Sequence, residues 1–264
     1  MSQILRQLNY NKQILQVSLS ILTVTYNSLP TLKDAYASLC AQTFTQWEWV
    51  VQDGGSSDGT LEWLKSLSDA RVNWLSEKDH GIYDALNKAV GRASGEWIGL
   101  LHSDDLYPNA EVLDLVLAAT PGNDAIYGDL KYVQAADVTK VLRHWQSGTF
   151  SPTLLRKGWM PPHPTLFLRK EIYEQAGAFD TQFKIAADYD FILRVFQIPH
   201  LKIHYLPQVL MLMRQGGASS KVSNLVAKSK EDLRIMRKNG LPFALFVLLR
   251  KVSSKFGQFL KKAY

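Results

Sequence analysis

The chain has little that would tie it together covalently or carry it across a bilayer. Its 264 residues include one cysteine, Cys40, which excludes an intramolecular disulfide and any cysteine-rich metal cluster. A reducing compartment agrees with that, although many exported proteins also lack disulfides. The longest uninterrupted apolar run, Leu241 to Leu249, falls well short of the about 20 residues a spanning helix needs. Met1 to Gln16 mixes polar residues with scattered Leu and Ile and has no apolar core of the signal-peptide kind. The six histidines show no ligand-like spacing, so a structural role is expected for most of them. Internal repeats and low-complexity linkers are absent too, which points to one domain with an appendage.

What is present is the composition of an ordinary globular protein, 46% hydrophobic and 20% charged, with enough chain to bury a full core. The net charge of +6 is unevenly placed. Arg250, Lys251, Lys255, Lys261 and Lys262 lie in residues 241–264, which contain no acidic residue. Setting those five aside from the 30 Lys and Arg leaves 25 against 24 Asp and Glu, so the body is near neutral. A nucleic-acid-binding surface more often spreads Lys and Arg over the folded domain, and none is expected here.

Ser18 to Thr25 is β-branched and apolar and predicts a buried first strand. A turn through Pro30 leads into a helix to about Gln42. Strands are expected over Glu48 to Gln52, Arg71 to Leu75 and Glu96 to Leu101, with helices over Thr60 to Leu67 and Ile82 to Ala93. Such alternation predicts an α/β domain with a mainly parallel central sheet flanked by helices. The second half is less regular. Ala125 to Val133, Val141 to Trp145 and Lys202 to Leu206 read as strands, Pro152 to Pro164 as loop, and Thr165 to Ala176 and Ala187 to Gln197 as helices. The expected division is an extension over 1–17, a domain over 18–240 whose halves meet near residue 107, and a basic amphipathic helix over 241–264.

Four acidic stations follow apolar runs: Asp53, Asp79, the pair Asp104–Asp105, and Asp188. The carboxyl ends of strands in an open α/β sheet face one crevice, and ligands bind there. Thr25 and Tyr26 end the first strand, where they can line a base. Asp53 opens Asp-Gly-Gly-Ser-Ser-Asp-Gly-Thr, whose glycines allow close approach and whose carboxylate can accept a uracil N–H; alone, the segment equally reads as a surface turn. Asp79 precedes a helix start suited to anions. It would meet base or ribose, with Lys88 on a phosphate, unless Asp79 caps the helix and Lys88 is solvated. Adjacent carboxylates at Asp104 and Asp105 repel unless a cation or donor compensates them, and Mn²⁺ or Mg²⁺ prefers such oxygens; a helix cap is the alternative. Asp188 and Asp190 begin a helical segment, so one of them can cap it. Asp188 also suits a proton acceptor for an attacking hydroxyl.

In order and spacing, Thr-Tyr-Asn, Asp-Gly-Gly-Ser-Ser-Asp-Gly-Thr, Asp-x-Gly-Ile-Tyr-Asp-Ala-x-Asn-Lys and Ser-Asp-Asp resemble the inverting glycosyltransferases of family 2, over roughly Ser18 to Ser220. The resemblance implies a single GT-A domain with a Rossmann-like nucleotide-binding half. It places Asp53 at uracil, Asp104 near ribose, Asp105 on the metal and Asp188 as catalytic base. Ala-Ala-Asp-Tyr-Asp resembles the family's Glu-Asp base motif, with Ala187 where the glutamate stands. Arg214-Gln215-Gly216-Gly217 resembles a late loop that often reads Arg-x-His, so Arg214 joins the donor-binding candidates. Glycine in place of that histidine leaves a third metal ligand open, for which His204 and His163 are candidates. Leu86 stands where many relatives carry Arg.

The implied reaction moves a sugar from a UDP-sugar to a hydroxyl of a lipid-linked bacterial glycan. A nucleotidyltransferase is the competing enzyme, but it would need an early Gly-rich loop with embedded Arg and Lys. A non-catalytic nucleotide-sugar-binding scaffold is the other alternative. Beyond Leu245, helical projection gathers Leu248, Leu249, Val252, Phe256, Phe259 and Leu260 into a stripe roughly 120° wide, with the five basic residues outside it. Such a helix suits an anionic membrane surface, or docking on the protein's own body. With a lipid-linked acceptor, the expected location is the cytoplasm, peripheral on the inner face of the membrane.

Overall fold

The computed structural model describes residues 18–216 and 225–242, together with Ala244 and Val247. The extension over 1–17 and nearly all of the basic tail lie outside these residues. Four parallel strands form the first half: β1 (Leu19–Thr25), β2 (Trp47–Asp53), β3 (Val72–Ser76) and β4 (Trp97–Leu100), in the order β3-β2-β1-β4. Helices α1 (Leu29–Cys40), α2 (Thr60–Ser66) and α3 (Ile82–Arg92) alternate with them.

Every residue of β1 and β2 is buried, and successive side chains enter two different cores. Leu22, Val24 and Val50 pack with Tyr83, Ala85, Leu86 and Ala89 of α3. Leu19, Ile21, Trp49 and Val51 pack with Leu32, Ala35 and Leu39 of α1 and Leu64 of α2. A strand covered on both faces has no polar side to show, which is why both strands read as near-continuous apolar runs. Leu86 is part of this packing, so its place is apolar where an arginine would not fit.

The second half makes the sheet mixed. It contains β5 (Asp105–Leu106), α4 (Val112–Ala118), β6 (Ala125–Gln134), β7 (Asp137–Trp145), α5 (Pro152–Leu155), a 3₁₀ turn over His163–Thr165, β8 (Phe167–Arg169), α6 (Lys170–Ala176), α7 (Ala187–Phe196), β9 (Ile203–Arg214) and α8 (Leu225–Lys238). β8 runs antiparallel between β4 and β6; β9 lies parallel to β6 and antiparallel to β5; β7 returns antiparallel on β6.

Three elements depart from expectation. The helix expected from Thr165 begins only at Lys170, because Phe167–Arg169 is a strand. Phe167 and Leu168 enter opposite cores, and the Phe167 ring occupies the space a Cβ on Gly99 would take. Asp105–Leu106 is a short strand rather than a loop leading to a cap, and the last strand continues to Arg214 instead of ending near Leu206. Leu241, Ala244 and Val247 are buried in the same core as α3 and α7, so the first residues assigned to the tail pack on the body.

Candidate active site

Register aligns the strand ends. Thr25 lies beside Asp53, and Asp53 beside Ser76. Asp53 is fully buried, and its Oδ2 accepts Gly55 N at 3.1 Å, Ser56 N at 3.0 Å and Ser76 Oγ at 2.6 Å. Its Oδ1 accepts the Ser56 hydroxyl. The Gly/Ser loop is therefore folded around Asp53 itself. Thr25 O accepts Gly54 N at 2.9 Å, and Asn27 stitches the two loops together, with Asn27 N donating to Ser56 Oγ and Asn27 Oδ1 accepting Ser57 N, both at 2.8 Å.

Gly54 is the meeting point of the base-binding candidates. A Cβ there would lie 2.6 Å from Asp79 Oδ2 and 3.4 Å from Tyr26 Cδ2. Only glycine lets Asp79 come this close to the end of β2. Tyr26 is 65% exposed, leaving a free aromatic face at the rim. Asp79 Oδ1 accepts Gly81 N at 2.8 Å in the turn that leads into α3. Lys88 pairs with Glu77 at 3.0 Å and Asp84 at 3.3 Å, and the Glu77 partner raises its pKa. Its ammonium also donates to Lys78 O at 3.2 Å, just past the end of β3.

Asp104 is half-buried, whereas Asp105 is fully buried in β5 opposite Met213 of β9. Neither Asp105 oxygen has a hydrogen-bond partner. Burial, followed by the neighbouring Asp104, pushes the Asp105 carboxyl well above the ordinary carboxylate range, with Arg214 pulling the other way. Arg214 is itself 9% exposed; it donates to Asp104 O at 3.2 Å and to Asp34 Oδ2 at 2.6 Å. Orphaned carboxylate oxygens in a protein interior are costly and call for a cation. Among the described residues no three His, Cys, Asp or Glu side chains form a metal cage. The donor set therefore fits a hard divalent ion that draws its remaining ligands from water and a substrate diphosphate, as Mg²⁺ commonly does.

The second half supplies Asp188, half-buried in the first turn of α7. The Tyr83 hydroxyl of α3 donates to Asp188 Oδ1 at 3.2 Å and to Ile185 O at 2.9 Å. Burial, then Asp188, raises the Tyr83 phenol far above the ordinary tyrosine range, so it remains a donor. Asp190 has a different role. Fully buried, it accepts Arg194 Nε at 2.9 Å and Asn239 Nδ2 at 2.9 Å, and pairs with Lys238 at 3.1 Å.

Two histidines join these carboxylates. The rings of His102 and His163 lie 6.3 Å apart. Burial lowers both pKa values, that of His163 to about 4, with Asp188 opposing the shift in each and Asp104 also opposing it at His102. His163 Nε2 is buried without a partner. Burial raises the Tyr132 phenol on β6, with Arg143 opposing the shift and Asp105 and Asp188 adding to it, so both carboxylates act electrostatically on that part of β6. His204 does not reach it: it pairs with Ile126 at the opposite end of β9 from Arg214, a strand length of roughly 30 Å away. Tyr83 and His102 are the residues that sequence reasoning left without a site role, while His163 was a candidate third metal ligand. Tyr83 lies inside the Gly-Ile-Tyr-Asp segment, so its signal was present; the histidines meet only through the fold.

The chain is similar to known proteins in sequence and in fold. An uncharacterized glycosyltransferase of Mycobacterium tuberculosis is 30% identical over 182 residues, 67% of this chain and 68% of its own. A PGL/p-HBAD biosynthesis glycosyltransferase of Mycobacterium bovis is 27% identical over 237 residues, 87% of this chain and 88% of its own. The crystal structure of S. aureus TarS residues 1–349 matches 91% of this chain and 72% of that one, with a TM-score of 0.65 at 20% identity. A mannosyltransferase of Pyrobaculum calidifontis, in complex with GDP-Man and Mn2+, matches 99% of this chain and 83% of that one, with a TM-score of 0.60 at 16% identity. The mixed sheet with helices on both faces is thus the GT-A glycosyltransferase fold. Residues 20–181, more than half of the sequence, match the profile of Glycosyl transferase family 2, and the chain belongs to that family.

Proposed function

We propose that this chain is an inverting, metal-dependent transferase that moves a hexosyl or N-acetylhexosaminyl unit from a UDP-sugar to a hydroxyl of a lipid-linked bacterial surface glycan. The observation that carries this is a buried Asp105 whose oxygens have no hydrogen-bond partner, with Asp188, held by Tyr83, as the candidate base. Tyr26, Gly54, Asp53 and Asp79 form the base end, and Asp104 the ribose contact. Asp53 serves chiefly by shaping the loop that bounds the base, since its oxygens already hold that loop.

Asp105 would hold Mn²⁺ or Mg²⁺, which when bound neutralises charge developing on the departing diphosphate. Arg214, beside Asp105, adds a fixed positive charge there. Asp188 takes the proton from the acceptor hydroxyl. The oxygen attacks the anomeric carbon on the face away from UDP, the carbon–oxygen bond to the β-phosphate breaks, and UDP leaves. Tyr83 steers the Asp188 carboxylate without competing for its proton.

The family resemblance supports the inverting course. The complexes of S. aureus TarS with UDP and UDP-GlcNAc support a UDP-sugar, and the mycobacterial PGL/p-HBAD relative supports a glycolipid-type acceptor. The five basic residues of the tail support peripheral contact with an anionic cytoplasmic membrane face. No helix among the described residues is long and apolar enough to cross a membrane. The deciding experiment follows UDP release from a panel of UDP-sugars with Mn²⁺, Mg²⁺ or chelator, and reads the product's anomeric configuration by NMR. Turnover that survives exhaustive chelation, or retention of configuration, refutes the corresponding part of this reading.

A further inference from the structure

Helix α7 begins without a cap of its own. Ala186 stands at its N-cap position, and no side-chain cap hydrogen bond comes from within the helix. Free N–H groups at a helix start need an acceptor, and a serine, threonine or aspartate at the cap normally provides it. Here Ala186 N, together with the two N–H groups that precede it in the turn leading into the helix, finds its acceptor on α8, far along the chain. Glu231 Oε1 accepts Lys184 N at 2.9 Å, and Glu231 Oε2 accepts Ile185 N and Ala186 N, each at 2.9 Å. Three successive backbone donors converge on one carboxylate. Such bonds are charge-assisted, and an anion at a helix N-terminus is favoured further by the helix dipole.

Asp188 lies two residues beyond this clamped turn, in the first turn of the helix, and makes no side-chain cap hydrogen bond. Its recorded hydrogen bond is the one from Tyr83 at 3.2 Å, so acceptor capacity remains for a substrate proton. The same turn is gripped from the other side, because the Tyr83 hydroxyl also donates to Ile185 O, whose N–H goes to Glu231. Separate contacts dock α8: Lys238 pairs with Asp180 at 2.9 Å and with Asp190 at 3.1 Å.

We infer that Glu231 is a positioning residue for the transfer step: it clamps the turn over residues 184–186 so that Asp188 faces the crevice. The C-terminal helix is then part of the reaction apparatus, although it lies beyond the residues that match the family profile. The inference rests on the reading of Asp188 as the base.

The test uses the full chain with Glu231→Gln, Lys238→Met and Asp188→Asn, measuring kcat, donor KM, UDP affinity by calorimetry and melting temperature. Glu231→Gln keeps the size of the side chain but turns one acceptor oxygen into a donor facing backbone N–H groups. It is expected to lower kcat by about 10- to 100-fold through misalignment of the base, with donor KM and UDP affinity within twofold of wild type. Lys238→Met loosens the same helix without touching the cap, and is expected to lower the melting temperature while keeping kcat. Should Glu231→Gln fail to fold, Glu231→Asp, too short by one methylene to hold all three N–H groups, gives the same comparison. A wild-type kcat in the Glu231 variant overturns the role, as does a loss of kcat that merely tracks lost stability in both helix variants. If Asp188→Asn itself transfers at the wild-type rate, the base assignment falls first; if Asp188→Asn is inactive and Glu231→Gln is unimpaired, only the positioning role falls.

Discussion

A single carboxylate can serve chemistry at the expense of the fold, and Asp105 is placed to do so. Its pKa is raised in the folded protein, so ionisation at neutral pH costs stability, and that cost grows as pH rises above the unfolded value of 3.8. Asp105→Asn removes the charge. It should end metal-dependent turnover yet raise apoprotein stability by about 1 kcal/mol, roughly 2–4 °C in melting temperature. Mn²⁺ should raise the melting temperature of the wild type but not of the variant. At Asp188 the expected separation is different: Asp188→Asn keeps UDP affinity by calorimetry while transfer falls by about 100-fold or more. Loss of UDP binding in that variant would assign Asp188 to the donor site. His163 gives the pH signature. Its folded pKa of about 4 lies below the ordinary 6.5, so the unfolded chain binds the proton first as pH falls. Stability is complete above about 6.5 and is lost between there and about 4, by on the order of 3 kcal/mol at most. His102 contributes in the same direction. Denaturant melts of wild type and His163→Gln at pH 7 and 4.5 check this; the variant should lose less on acidification.

Among elements, β1 through β4 were legible because each is bounded by turn residues, and β1, β2 and β4 are also buried on both faces. Their carboxyl ends then had to share a crevice, so Asp53, Asp79, Asp104 and Asp105 could be grouped before any geometry was known. β8 was illegible because Leu168, Ile172 and Ala176 also satisfy a helical spacing. What makes Phe167–Arg169 a strand is a non-local fit, with Phe167 over the bare backbone of Gly99. Gly99→Ala should therefore destabilise the domain by about 1–3 kcal/mol through overpacking, read as a shifted denaturant midpoint with an unchanged slope. The start of α7 shows the same limit. Local sequence offered Asp188 and Asp190 as caps, and nothing nearby indicated that Glu231 would hold the turn ahead of the helix. His163 and His102, far apart in sequence, likewise lack the spacing that would have paired them.

At the scale of the molecule, the tail assignment divides. Leu241, Ala244 and Val247 are buried in the body, so a truncation at residue 241 would cut into the core. Removing residues 250–264 instead deletes all five tail basic residues and spares these three. With each basic residue contributing about 1 kcal/mol at an anionic surface, this deletion should release the protein from anionic liposomes. The melting temperature should stay within about 2 °C of the intact chain, equivalent to under about 1 kcal/mol. Co-sedimentation at low and high salt, paired with a thermal melt, checks both outcomes. A sharply lower melting temperature would instead mean that the stripe docks on the body.

The pairing of β5 also dictates an order of assembly. Among the described residues, the strand carrying Asp105 is hydrogen-bonded to β9 alone, more than a hundred residues further along the chain. Contacts that close so long a loop form late, after local structure has already settled. A nascent chain can therefore arrange β1 to β4 and the base-binding loop while Asp105 still lacks its partner strand. The pairing of Asp105 with Met213 therefore waits on β9, by which time the parallel strands that shape the loop around Asp53 can already be in place.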